Sequence, residues 1–321
     1  MAEITASSVF LHGILRRSGT NHLNQLLLKH PDCVQPAISV REDWFLDTSD
    51  PLMRYAEDLF KIWSNPKWGG RPYSSSGLLQ EIGAGQLRYL RTGLTDAENK
   101  TLVSKTPSVN HLDRLAQFFP GSKCVILVRD PLDVAASAFH TWKTPVSRTL
   151  DEWNLGCRRI QEFANDPRND HFLLRYEDLI ADPVLSLKVC FDYLGLDPQK
   201  YVWEAIETVP LLGSSDGGAS FQTVERSSSF QAVGKWTSLP EEQKRLIKAH
   251  FDQRSADVFG YAGIGSTNRP LKPLPDVLTR KKIGEGLRNR PSKLRSDQPV
   301  SLRKRLGYVK EGVKLMLRAV R

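Results

Sequence analysis

Residues 123–128, Lys-Cys-Val-Ile-Leu-Val, are apolar at five consecutive positions and run straight into Arg129-Asp130-Pro131. A strand with no polar face has no side to offer water, so it belongs inside a parallel sheet covered on both faces. Pro131 suits the start of a helix, which the pattern carries to His140. The same grammar recurs along the chain. Ser8–Leu11 enters a loop rich in Gly, Arg and Ser, followed by a helix over His22–Leu28 with Leu23, Leu26 and Leu27 on one face. Thr101–Ser104 is a short β-type run, and His171–Leu174 is another that ends in Arg175-Tyr176-Glu177-Asp178. A helix over Pro183–Leu194 follows, closed by Gly195. Strands alternating with helices predict an α/β fold, a three-layer doubly wound parallel sheet whose ligands sit beyond the strand carboxyl ends.

With 321 residues, 40% of them apolar, the chain can bury one large core, and one main domain over residues 1–262 is expected. The segment Arg41–Thr95, rich in Trp, Gly and Ser, reads as an irregular helical and loop insertion suited to substrate contacts. The Gly-rich stretch inside Leu211–Phe230 reads as a flexible lid. The net charge of +9 is unevenly placed: residues 270–321 hold 15 Lys and Arg against 4 Asp and Glu, a net of +11, which leaves the rest at −2. Residues 263–300 read as a basic Pro-rich linker. Leu302, Leu306, Val309, Val313, Met316 and Val320 line one side of an amphipathic basic helix over 301–321. Such a helix suits an anionic membrane surface, the body of the protein or a second copy in a homodimer. Cys33, Cys124, Cys157 and Cys190 form no C-x-x-C pair and are expected to be buried free thiols, with no metal site. No stretch reaches the roughly 18 apolar residues of a membrane span, so the expectation is a soluble, cytoplasmic protein with at most peripheral membrane contact.

Two elements carry the chemistry. The loop Gly13-Ile14-Leu15-Arg16-Arg17-Ser18-Gly19-Thr20-Asn21 can turn tightly and aim backbone N–H groups at a phosphate above a helix N-terminus. It is not the loop of nucleoside triphosphatases, because no Lys follows Gly19. The second is Arg129-Asp130-Pro131-Leu132-Asp133-Val134-Ala135-Ala136-Ser137, where Arg129 leaves a strand end and Ser137 lies two helical turns on. Both can reach one phosphate group, and the arginine fork pairs phosphate oxygens two at a time. A strand-end salt bridge is the other reading of Arg129.

Together these elements resemble the sulfotransferases that use 3′-phosphoadenosine 5′-phosphosulfate (PAPS). That family has a phosphosulfate loop of the form Pro-(Arg/Lys)-Ser-Gly-Thr and a later Arg-(Asp/Asn)-Pro-x-Asp-x-x-x-Ser. Lys105-Thr106-Pro107, Arg175-Tyr176-Glu177-Asp178-Leu179 and Val233-Gly234-Lys235-Trp236 agree with it in order, and the resemblance spans residues 8–261. It implies a P-loop-like fold and PAPS as co-substrate, with adenosine 3′,5′-bisphosphate as the product and no metal required. It further implies that Arg17, Ser18, Gly19, Thr20 and Asn21 surround the 5′-phosphosulfate. Arg129, Ser137 and Lys235 would hold the 3′-phosphate, with Tyr176 near the adenine. Arg16, which stands where the family has Pro and makes the loop more basic, and His22, which stands where small-molecule members have an adenine-stacking Trp, are implied as further donor-binding residues, whereas Pro107 stands where those members have the histidine base. The chain therefore resembles the carbohydrate and bacterial branches more. By that resemblance Lys105 and Arg17 stabilise the leaving group and Glu42 is the base, with Asp43 and His111 as rivals.

The implied acceptor is a hydroxyl or amine of a small molecule, carbohydrate or glycolipid. Two other functions are consistent with parts of the sequence. One is a P-loop-type nucleotide kinase. The other is a non-enzymatic protein that binds an anionic surface or nucleic acid through the tail, although nothing specific to nucleic acid is expected.

Overall fold

The computed structural model describes residues 7–37, 41–68, 75–94, 99–209 and 233–261, and the backbone of 211–212 and 223–224. The linker, the amphipathic helix and most of the expected lid lie outside the described residues. Five parallel strands form the central sheet: β1 (Ser8–Gly13), β2 (Cys33–Val34), β3 (Thr101–Thr106), β4 (Lys123–Val128) and β5 (Phe172–Arg175), in the order β2-β3-β1-β4-β5. The backbone of β6 (Leu211–Leu212) pairs antiparallel with β7 (Thr223–Val224).

Side chains of β1 and β4 alternate between two cores. Val9, Leu11, Val125 and Leu127 face α1 (Thr20–Leu27), α7 (Tyr176–Ala181), α8 (Pro183–Leu194) and α9 (Ala205–Thr208). Phe10, Cys124, Ile126 and Val128 face the other layer, which holds α3 (Ser75–Arg91), α4 (Leu115–Phe118), α6 (Val146–Asn165) and α11 (Gln253–Val258). The expected three-layer α/β plan is therefore present, and it follows from strands apolar on both faces. A smaller cluster joins α5 (Pro131–Trp142) and α6 to α10 (Glu241–His250) through Leu132, Ala136, Val146, Leu150 and Ile247. Among the described residues no helix is long and apolar enough to cross a membrane. All four cysteines are free and buried, as expected.

Two parts of the sequence reading change. The insertion is mostly regular, with α2 (Asp50–Trp63) and α3 forming its bulk. The Gly and Ser around residues 69–77 masked helical patterns on either side. Within α3, Gly83 is set by packing, since a Cβ there would lie 1.9 Å from the Phe118 carbonyl oxygen. The 20-residue α6 was not expected, although Val146, Leu150, Trp153, Cys157, Ile160 and Ala164 follow helical spacing and are all buried.

The parallel register sets the site. Leu11 and His12 pair with Lys105 and Thr106 of β3, Gly13 pairs with Leu127 of β4, and Val128 pairs with Arg175 of β5. Four strands thus end at one edge, and the loop after β1, Pro107, Arg129 and Tyr176 all leave the sheet side by side.

Candidate active site

The loop after β1 is shaped by its own side chains. Ser18 is fully buried; its hydroxyl donates to the Leu15 carbonyl at 2.7 Å and accepts from the Leu15 N–H at 3.2 Å. That hydroxyl closes the turn rather than facing outward. Arg17 has a φ of 74° and Gly19 a φ of 97°, so the chain passes twice through the left-handed region before α1 begins. Only glycine suits the second position, because a Cβ there would lie 2.4 Å from the Tyr176 ring. Gly19 caps α1 without any side-chain hydrogen bond, which leaves the first turn of the helix open toward an anion. Thr20 and His22 are buried within α1, whereas Asn21 is half-buried. His22 thus lies inside the helix packing and not on an open stacking surface.

Arg17 and Arg129 meet beside this loop. The Arg17 Nε donates to the Ser137 hydroxyl at 2.9 Å, and Arg129 Nη1 donates to the Arg17 carbonyl at 2.9 Å. Arg129 lies over the buried Tyr176 ring at 4.5 Å, and Arg17 lies over Trp142 at 5.3 Å. Burial, and then the charge of Arg129, pull the Arg17 guanidinium down to about 10. Two guanidinium groups, one buried and one half-buried, with a hydroxyl and a helix start alongside, are a donor set of the kind that pairs with a multiply charged anion. A phosphate and a sulfate ester fit that donor set. Tyr176 serves as the floor under Arg129 and the wall behind Gly19 rather than as an exposed platform.

Arg16 turns the other way. It is exposed and lies over Trp44 at 5.3 Å, on the wall of a cleft of about 690 Å³ that also takes in Pro107, Asp47, Asn110, Trp142 and Arg159. Sequence reasoning missed this cleft because most of its walls come from α5, α6 and the segments after β2 and β3, distant in sequence from the loop after β1 that completes it. Asp47 accepts from the Ser108 hydroxyl and the Asn110 amide, both at 2.8 Å, and Asn110 in turn accepts from Arg159. The periodicity of α6 is the signal that would have placed Arg159 there.

The catalytic candidates separate. Lys105 Nζ lies 3.6 Å from Glu42 Oε1, and both side chains are largely shielded. Burial lowers the Lys105 ammonium below its ordinary value, and Glu42 partly restores it. Asp43 instead latches the chain to β3: its carboxylate accepts from Ser104 at 2.6 Å and Thr106 at 2.7 Å, and its N–H donates to the Lys105 carbonyl. His111 lies 3.8 Å from Asp50 and has a φ of 53°. The structure thus pairs Glu42 with Lys105, engages the Asp43 carboxylate with the flanking Ser104 and Thr106, and sets His111 beside Asp50. Lys235 opens a short 3₁₀ turn, Lys235–Ser238. Its flanking N–H groups, from Gly234 and Trp236, donate to Asp133 of α5.

Comparison with known proteins gives the chain's relatives. The "Nodulation protein NoeE" of Sinorhizobium fredii is 25% identical over 269 residues, covering 74% of this chain and 62% of that protein. "Carbohydrate sulfotransferase 2" of mouse and of human are each 33% identical over 115 residues, 35% of this chain and 21% of theirs. The chain thus spans less than two thirds of the length of these curated relatives. Among solved structures, the "Sulfotransferase Domain from the Synechococcus PCC 7002 Olefin Synthase" aligns with a TM-score of 0.48 and 21% identity, over 76% of this chain and 94% of that one. The sequence profile described as "Sulfotransferase family" matches residues 9–200, from the start of β1 past the end of α8. That stretch contains the loop, Lys105, Arg129, Ser137 and Tyr176, and by it the chain belongs to the sulfotransferase family.

Proposed function

We propose that this protein transfers a sulfuryl group from PAPS to a hydroxyl or amine of an acceptor held in the cleft beside Arg16, Trp44 and Pro107. The observation that carries the reading is the part-buried contact of Arg17, Arg129 and Ser137 at the start of α1. A nucleotide with phosphate groups at both its 5′ and 3′ positions supplies the negative charge this group lacks. A kinase reading finds no support in the same loop, which holds no Lys after Gly19.

In this mechanism Arg17 and the first turn of α1 bind the 5′-phosphosulfate, and Arg129, Ser137 and Lys235 bind the 3′-phosphate. Glu42 takes the acceptor proton as the acceptor oxygen or nitrogen bonds to sulfur. The bond from sulfur to the 5′-phosphate oxygen breaks in line, and Lys105 and Arg17 stabilise the charge left on that oxygen. Trp44 and Trp142 line the proposed acceptor cleft, and indole rings suit the apolar side of a sugar ring. That, with the named carbohydrate sulfotransferase among the relatives, supports a carbohydrate acceptor.

Calorimetric titration with adenosine 3′,5′-bisphosphate tests the donor site. Binding in the micromolar range or tighter that is lost in Arg129→Ala and not matched by ATP supports it, whereas a preference for ATP with Mg²⁺ overturns it. Peripheral contact of the basic 301–321 segment with anionic membrane is a separate proposal. It is tested by flotation with phosphatidylserine vesicles of full-length protein against residues 1–262, and equal flotation overturns it.

A further inference from the structure

We propose that Asp133 is a positioning residue for donor binding: its carboxylate fastens the backbone on both sides of Lys235 and so sets that lysine at the 3′-phosphate. The proposal rests on the donor site proposed above. Asp133 is 1% exposed and lies in the first turn of α5. Its Oδ2 accepts from the Gly234 N–H at 2.8 Å, and its Oδ1 accepts from the Trp236 N–H at 3.3 Å. Each oxygen therefore holds one neighbour of Lys235, a contact across 101 and 103 residues of chain.

The placement follows from helical periodicity. Asp133, Ser137 and His140 recur at spacings of four and three and share one face of α5. Ser137 bonds to Arg17 on that face, and His140 Nε2 lies 3.2 Å from the Ser238 hydroxyl at the other end of the 3₁₀ turn. Trp236 packs against the cluster that holds Leu132, Ala135 and Ala136 of the same helix. The turn that carries Lys235 is thus mounted along the helix that carries Ser137. Gly234 permits the mounting, since its φ is 82° and its N–H faces Asp133. A carboxylate suits the task because it accepts on both oxygens, and it is favoured at a helix start. Asparagine offers one acceptor and sets an NH₂ against the other N–H.

The test is a double-mutant cycle read by calorimetry with two ligands: adenosine 3′,5′-bisphosphate, and 5′-AMP, which lacks the 3′-phosphate. Asp133→Asn and Lys235→Met are each expected to weaken bisphosphate binding about tenfold, as loss of a charge-assisted contact does. AMP affinity stays within about twofold in both, and the double variant binds the bisphosphate no worse than Lys235→Met alone, the signature of one shared interaction. Gly234→Ala provides a second route should Asp133→Asn fold poorly: a Cβ there meets nothing within 4 Å, yet the φ is strained, and the same selective loss is expected. Equal weakening of both ligands, or losses that add in the double variant, overturns the positioning role while leaving the donor site standing. Wild-type protein that does not distinguish the bisphosphate from AMP overturns the donor reading, and the role of Asp133 with it.

Discussion

The Arg17 guanidinium donates through Nε to the Ser137 hydroxyl at 2.9 Å, across 120 residues of chain. This bond ties the loop after β1 to the helix after β4, so the two ends of the proposed donor site are one structure before any ligand arrives. Ser137→Ala should weaken adenosine 3′,5′-bisphosphate binding about tenfold. Arg17→Lys, which keeps the charge and loses the fork, should lower transfer from PAPS by about 10²-fold or more. Both are checked by calorimetry and by a rate assay with radiolabelled donor; an Arg17→Lys protein with wild-type rate would remove the loop from the chemistry.

Gly19 is confined by conformation and by space at once, with a φ of 97° and the Tyr176 ring 2.4 Å from where a Cβ would lie. Gly19→Ala should abolish measurable bisphosphate binding while leaving the far-ultraviolet circular dichroism unchanged. Adding Tyr176→Ala relieves the clash but not the φ, so only partial recovery is expected. Full recovery would show that the clash alone matters.

The Lys105 ammonium is lowered by burial, and Glu42 at 3.6 Å opposes that lowering. If protonated Lys105 stabilises the leaving group, the rate falls as pH rises through its folded value, which lies below the ordinary lysine value of 10.5. Glu42→Gln removes the opposing charge, so the alkaline limb of the profile should move to lower pH and kcat should fall about 10²-fold. Asp43→Asn should act mainly on stability, since Ser104 and Thr106 both donate to that carboxylate. Rate–pH profiles and thermal melts of the two variants distinguish the roles.

Asp130 caps α5, accepting from the Leu132 and Asp133 N–H groups, yet burial, then Glu177 and Asp133, push its carboxyl up to about 7 from an ordinary 3.8. Between those values the folded state holds a proton that the unfolded state has released, so this group makes stability fall as pH rises from about 4 to about 7. Asp130→Asn keeps a cap oxygen and carries no charge. Its melting temperature should vary less over that window and equal or exceed wild type at pH 8; a parallel pH dependence would assign the slope to other groups.

Local chemistry reached far into this protein from the sequence. The apolar run of β4 required a sheet covered on both faces, Pro131 marked the start of α5, and Gly195, with a φ of 75°, closed α8 where expected. The sequence also placed Ser137 about two turns along the helix that follows Arg129, because a helix repeats every 3.6 residues. All of these are decided by neighbours a few residues apart. The tertiary structure alone decided the rest. It divided the adjacent Arg16 and Arg17 between two sites, through a backbone φ of 74° at Arg17 that composition does not announce. It turned Ser18 inward, chose Glu42 over Asp43 as the ion-pair partner of Lys105, and built the cleft beside Arg16 from α5, α6 and loops distant in sequence. Such choices depend on which strands lie side by side. Parallel register brings residues a hundred positions apart to one sheet edge, and no local pattern records that pairing.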